Sequence, residues 1–326
     1  MSRILLTHSP ETLRNYYGER ALAGLRALAG VKLHAGAEPL AGDALVAAAS
    51  DCGVIVSYRQ SPGEAQLFER LPQLVAFVRC AIDIRNIDVA AASRAGVLVT
   101  QASAGFVTSV TELVLGLLVD LSRGVSQSAA EYHAGRVPQA RMGRELKGST
   151  LGVIGYGAIG REVVRVARAL GMQVLVCDPY VKDGEQTPFD ELLARSDYVV
   201  PLAVATAETE NLIDDAAFAK KKQGAYFINV SRGNLVDEPA LVRALDSGRI
   251  AGCALDVGRA PDQMPTPAIA RRPDVIATPH TAGLTLPAIE HQSMETVAQV
   301  AEILKGRAPK GAVNAEHWRR KDVLGR

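Results

Sequence analysis

The run Leu151-Gly-Val-Ile-Gly155-Tyr-Gly157-Ala158-Ile159-Gly160 places three glycines at the spacing G-x-G-x-x-G, and it is the strongest chemical signal in the chain. Each glycine answers a demand made by a strand that turns into a helix beside a pyrophosphate: a tight turn, close approach of backbone to phosphate, and packing of helix on strand. The helix that follows adds free N–H groups and the positive end of its dipole. Asp178 closes the next apolar run, Val174-Leu-Val-Cys-Asp178. A carboxylate there accepts from both ribose hydroxyls and repels a 2′-phosphate, which selects NAD over NADP.

Three further stretches follow apolar, strand-like runs and carry groups that grip anions or move protons. In Asn229-Val230-Ser231-Arg232-Gly233 the arginine is either a surface ion-pair partner or a bidentate holder of a carboxylate. Asp256, in Ala-Leu-Asp256-Val257, accepts from a carboxamide or caps a loop. His280, in Thr278-Pro-His280-Thr-Ala-Gly283, is either structural or the proton donor to a carbonyl under reduction, a task suited to an imidazole that titrates near 6.5. His8, His34, His133, His291 and His317 lack such a setting and read as packed or solvated.

The elements that must position these groups alternate. Ile159, Val163, Val166 and Leu170 recur at helical spacing up to Gly171, between two apolar strands. Strands are expected at 198–200, 225–229, 251–256 and 275–277, with a helix from Asp237 toward Gly248. Toward the amino terminus, strands at 3–7, 54–56, 74–78 and 97–99 alternate with helix-length segments, so two doubly wound α/β sheets are predicted. The span from Phe106 to Leu121 reads as a buried helix capped by Thr108 or Ser109, and a polar arm with Tyr132, His133 and Arg136 follows it. A last helix from Pro287 is expected to return to the amino-terminal sheet, which gives domains of 1–99 completed by 286–326, and 100–285. Turns 57–63 and 80–86 lie at strand ends where ligands bind open parallel sheets, and Arg59 is the anion-binding candidate among them.

Composition narrows the partners. The net charge of +1 gives no case for nucleic acid or an anionic membrane. The opening residues hold too few apolar positions for a signal peptide, and no run approaches the ~20 apolar residues of a membrane span, so a cytoplasmic location is expected. Cys52, Cys80, Cys177 and Cys253 show no C-x-x-C pair, and no histidine pair has ligand spacing, so buried thiols and no metal are expected.

The ordered set of the glycine turn with Asp178-Pro179-Tyr180, Ser109-Val-Thr-Glu112, Asn-Val-Ser-Arg232-Gly233, Ala-Leu-Asp256-Val257, Thr-Pro-His280, Arg79-Cys-Ala-Ile-Asp-Ile-Arg-Asn86-Ile-Asp88 and Val313-Asn314 resembles the D-isomer-specific 2-hydroxyacid dehydrogenases over nearly the whole chain. The resemblance implies a homodimer of subunits with a Rossmann cofactor domain and a smaller flavodoxin-like substrate domain, the active site lying in the cleft. It implies that Arg232 binds the carboxylate of a 2-keto or 2-hydroxy acid, that His280 is the acid or base, and that Asp256 lies near the nicotinamide carboxamide. The expected cofactor contacts are Gly155, Gly157, Ala158, Ile159, Gly160, Asp178, Pro179, Val230, Ser231, Asp256 and Thr108. Arg59, Ala81, Ile82 and Asp83 are the expected substrate contacts.

Two departures bear on the chemistry. The glutamate that family members pair with the histidine is Pro261 here, and Asp262 is the candidate substitute. Glycines usual in the substrate turn are Ala81 and Asp83, so the pocket should be altered or narrowed. These departures motivate an alternative reading, a dinucleotide-sensing binding protein that keeps the fold with little catalysis.

Overall fold

The computed structural model describes residues 3–182, 184, 186–260 and 263–323. The chain divides into two compact units, one running to Gly105 and resuming at Thr285, the other Phe106–Leu284.

The first unit is built on β1 (Arg3–Leu6), β2 (Val31–Leu33), β3 (Cys52–Ser57), β4 (Ala76–Arg79) and β5 (Leu98–Thr100), all parallel, in the order β2-β1-β3-β4-β5. Every residue of β3 and β4 is buried, because helices cover both faces. Leu5, Ile55, Phe77 and Val99 pack on one side, and Ile4, Leu6, Val54, Val56, Val78 and Leu98 on the other. Each such side chain contributes roughly 1.5–3 kcal/mol by leaving water. The helix Leu286–Leu304 belongs to the second of these faces, where Val300 and Ile303 pack and Thr296 meets the Tyr17 hydroxyl at 2.9 Å.

Beyond that helix the chain covers the edge of β5. Asn314 accepts from Val99 N at 2.8 Å and donates to Val97 O at 3.0 Å, and Val313 N donates to Val99 O at 3.0 Å. The indole of Trp318 donates to Val75 O at 3.1 Å. The first unit extends past 99 to Gly105 because Gln101 N donates to Gly311 O, Ala102 N to Ala81 O, and Ser103 N to the Glu295 carboxylate.

The second unit carries β6 (Thr150–Ile154), β7 (Gln173–Cys177), β8 (Tyr198–Pro201), β9 (Ala225–Asn229), β10 (Ile250–Leu255) and β11 (Val275–Ala277). They form a parallel sheet in the order β7-β6-β8-β9-β10-β11. Helices Val107–Arg123 and Ala158–Ala169 cover one face, and Phe189–Arg195, Asp215–Lys220 and Glu238–Asp246 the other.

Two local expectations need correction. Helix Val107–Arg123 starts from Phe106 with no side-chain cap, so Thr108 and Ser109 lie inside it; Phe106 packs on the core of this unit, and that packing rather than a hydroxyl sets the start. The expected polar arm forms a helix, Val125–His133, with no buried residue.

Candidate active site

The glycine turn joins β6 to the helix Ala158–Ala169. Gly155 has φ +100°, and a Cβ on it would lie 2.6 Å from Ala203 N. A Cβ on Gly160 would lie 2.2 Å from Gly155 O, so helix and turn meet backbone to backbone. Gly157 is different, since a Cβ there would meet nothing within 4 Å. The helix also starts without a side-chain cap, and both Gly157 and Ala158 are exposed. Asp178, just past β7, accepts from Tyr156 N at 2.7 Å and Tyr180 N at 3.0 Å, which ties the acid to the glycine turn. Open space, uncapped helix and tethered carboxylate fit a dinucleotide.

At the end of β9, buried Asn229 shapes the next loop: its side chain accepts from Ser231 N at 3.1 Å and donates to Arg232 O at 2.8 Å. Ser231 Oγ donates to Ala203 O at 3.1 Å. Ala203 therefore borders both the glycine turn and the Arg232 loop, at one crest of the sheet. The Arg232 guanidinium donates to Ser231 O at 2.7 Å. Gly233 is required because its missing side chain admits the Gly258 carbonyl, 2.1 Å from where a Cβ would stand.

The ends of β10 and β11 are locked through Asp256, which is fully buried. One carboxylate oxygen accepts from Thr278 Oγ1 at 2.6 Å and Thr281 N at 2.8 Å, the other from Ala282 N at 2.9 Å. Asp256 O accepts from His280 N at 2.9 Å, and Asp256 N donates to Asn229 O at 2.9 Å. One hydrogen-bonded chain thus runs from the Arg232 loop through Asn229 and Asp256 to His280. His280 sits at φ +54°, a left-handed conformation uncommon for a side-chain-bearing residue and held by these bonds. Asp256, expected near a carboxamide, has both oxygens engaged by the turn that carries His280. Pro261 and Asp262 lie outside the described residues.

The expected substrate turns belong to the first unit. Arg59 is exposed, while Ala81, Ile82 and Asp83 are half-buried. Asp83 is held by Arg85 in a two-pronged pair, with Nε at 3.0 Å and Nη2 at 2.6 Å, which offsets the negative charge foreseen in this turn.

Two buried residues beneath these turns were given no role by sequence reasoning, which quoted Arg79 only within a motif and read His8 as packed or solvated; His8 is packed. Arg79 donates to Tyr58 O at 2.5 Å, Ser61 O at 3.0 Å and Asn86 Oδ1 at 2.7 Å, and burial lowers its pKa to about 10. Among the described residues His8 has no hydrogen-bond partner on either ring nitrogen, and it packs its ring against Tyr17 and Tyr58. Burial first, and then the Arg79 charge, push its pKa down to about 3. The available signal for Arg79 was an arginine closing the apolar run Ala76-Phe-Val78; His8 offered none.

Comparison with known proteins decides the family. Residues 115–282 match the family model described as D-isomer specific 2-hydroxyacid dehydrogenase, NAD binding domain. The chain belongs to that family. It is 33% identical over 286 residues to D-3-phosphoglycerate dehydrogenase of Rattus norvegicus, covering 85% of this chain and 53% of that protein. The chain thus spans about half the length of the curated relatives it matches. A glyoxylate reductase from Paecilomyes thermophila superposes with a TM-score of 0.81 at 25% identity, covering 97% of this chain and 99% of that one. The structure of D-2-hydroxyisocaproate dehydrogenase gives a TM-score of 0.85 at 22% identity over 96% of this chain and 100% of the other, a likeness of fold. Among the described residues of this dehydrogenase-family chain, no helix is long and apolar enough to cross a membrane.

Proposed function

We propose that this chain is an NAD-dependent oxidoreductase of 2-keto and 2-hydroxy acids. When bound, the nicotinamide supplies the hydride to C2 of the keto acid, or takes it from the hydroxy acid. Arg232 grips the substrate carboxylate and polarises the adjacent carbonyl. His280 delivers the proton to the carbonyl oxygen in reduction and removes it in oxidation. Asp256 keeps the His280 turn in place. Arg59, Ala81, Ile82 and Asp83 border the acid, and Asp262 is the candidate partner of His280.

The observation that carries this reading is the hydrogen-bonded chain that fixes a left-handed histidine and an arginine loop on the crest that also bears the glycine turn. His280→Ala should lower kcat by about 10²–10⁴-fold while NADH binding, read by fluorescence, is kept. Full turnover in that variant sinks the acid–base assignment. A panel of 2-keto acids with NADH, followed by loss of cofactor absorbance, separates an enzyme from a dinucleotide sensor, which would bind NADH and consume none.

Exposed Val125, Tyr132, Val137 and Met142, close together in sequence, support a homodimer formed through this segment. The four cysteines are free thiols, which supports a reducing, cytoplasmic setting.

A further inference from the structure

Arg79 is a buried cation whose three hydrogen bonds among the described residues all go to the turns that follow β3 and β4. Two bonds reach carbonyls of the first turn, Tyr58 and Ser61, and one reaches Asn86 in the second. Asn86 completes a loop of interactions, since its Nδ2 donates to Arg59 O at 2.9 Å. The backbone adds Gly63 N to Asn86 O at 3.0 Å and Asp88 N to Gly63 O at 2.8 Å. Among the described residues no carboxylate lies within ion-pair distance of Arg79; the nearby Asp83 is paired with Arg85. A fork of donors reaching three acceptors at once is a property of guanidinium that a lysine ammonium does not share.

We propose that Arg79 is a positioning residue that fastens the two turns into one platform for the acid. Being fully buried, Arg79 acts through the turns rather than by touching substrate. Its charge, with no acid paired to it, also favours an anion above the platform. The proposal rests on the reading that Arg59, Ala81, Ile82 and Asp83 border the substrate, and it adds what holds them in register.

The test uses Arg79→Lys, Asn86→Ala and the double variant, with Asn86 chosen as a surface residue whose truncation leaves the core intact. KM for the 2-keto acid that wild type reduces should rise about tenfold in Asn86→Ala and further in Arg79→Lys, with kcat and the NADH Kd nearly unchanged. The double variant should be no worse than Arg79→Lys, because both substitutions cut one linkage. Asn86→Asp, which keeps the acceptor for Arg79, should recover part of the loss. Additive effects, or an unchanged KM, overturn the proposal.

Hydrogen exchange at the amides of Ser61, Gly63 and Asp88 gives a readout that needs no substrate. In Arg79→Lys both turns should lose protection together, and loss confined to one turn overturns the platform. If wild type consumes no 2-keto acid, the proposed function fails, and exchange alone decides whether Arg79 couples the turns.

Discussion

The two sheets follow one winding scheme yet treat their first strand-to-helix turn in opposite ways. Numbered within each unit, the first sheet reads 2-1-3-4-5 and the second 2-1-3-4-5-6, so each reverses direction beside its first strand, where ligands bind this class of sheet. In the second unit that turn is glycine, opens onto space at Gly157 and leaves its helix uncapped. In the first unit the same place is filled by Thr7, His8 and Ser9, all buried. Ser9 caps the helix Pro10–Tyr16 by accepting from Thr12 N at 3.2 Å. One topology therefore supplies a ligand cradle in one copy and a closed crest filled by side chains in the other, and the choice is made by a handful of residues.

Substitutions that fill or empty these turns sharpen the contrast. Gly160→Val should have the largest effect, because its Cβ alone would overlap Gly155 O; a cost of about 3 kcal/mol or more and loss of NADH binding are expected in chemical unfolding and fluorescence titration. Asp256→Ala strips the acceptor from the donors around His280. It should lower kcat about 10²-fold through misplacement and destabilise the second unit by about 1–3 kcal/mol.

The filled turn should reveal itself through pH. His8 titrates near 3 when folded against an ordinary 6.5, so between those values the unfolded chain holds the extra proton. The stability that depends on neutral His8 is whole above pH 6.5 and is lost as pH falls toward 3. Between pH 6.5 and 5 wild type should lose about 2 kcal/mol relative to His8→Phe in urea unfolding, and parallel curves for the two proteins would refute this. The smallest effect on stability belongs to Gly157→Ala, whose Cβ meets nothing within 4 Å: unfolding should be unchanged while NADH binds about tenfold more weakly.

The same contrast explains what could be read in the residues beforehand. The glycine turn, Asp178, Arg232, Asp256 and His280 are legible because backbone approach, strand-end position and titration each demand a particular residue type at a particular spacing. β2 was missed because Val31–Leu33 is a short, incompletely buried edge strand with no apolar run. The start of helix Val107–Arg123 was misplaced because Phe106 packing overrides the local capping preference of Thr108 and Ser109. The partners of Arg79 and the tyrosine packing of His8 were not legible, for a deeper reason. Their roles come from partners brought by other strands, such as the register of Ser57 against Arg79, and no spacing along the chain encodes that meeting.

The tail that wraps β5 carries a consequence for biogenesis. Since Val300, Asn314 and Trp318 complete a sheet whose strands leave the ribosome first, that sheet waits for its own closing segment while the intervening unit is translated, about 10–40 s at ordinary elongation rates. The earliest-made half is the last to be finished, and during that interval its apolar flank is the surface a nascent-chain chaperone would shield.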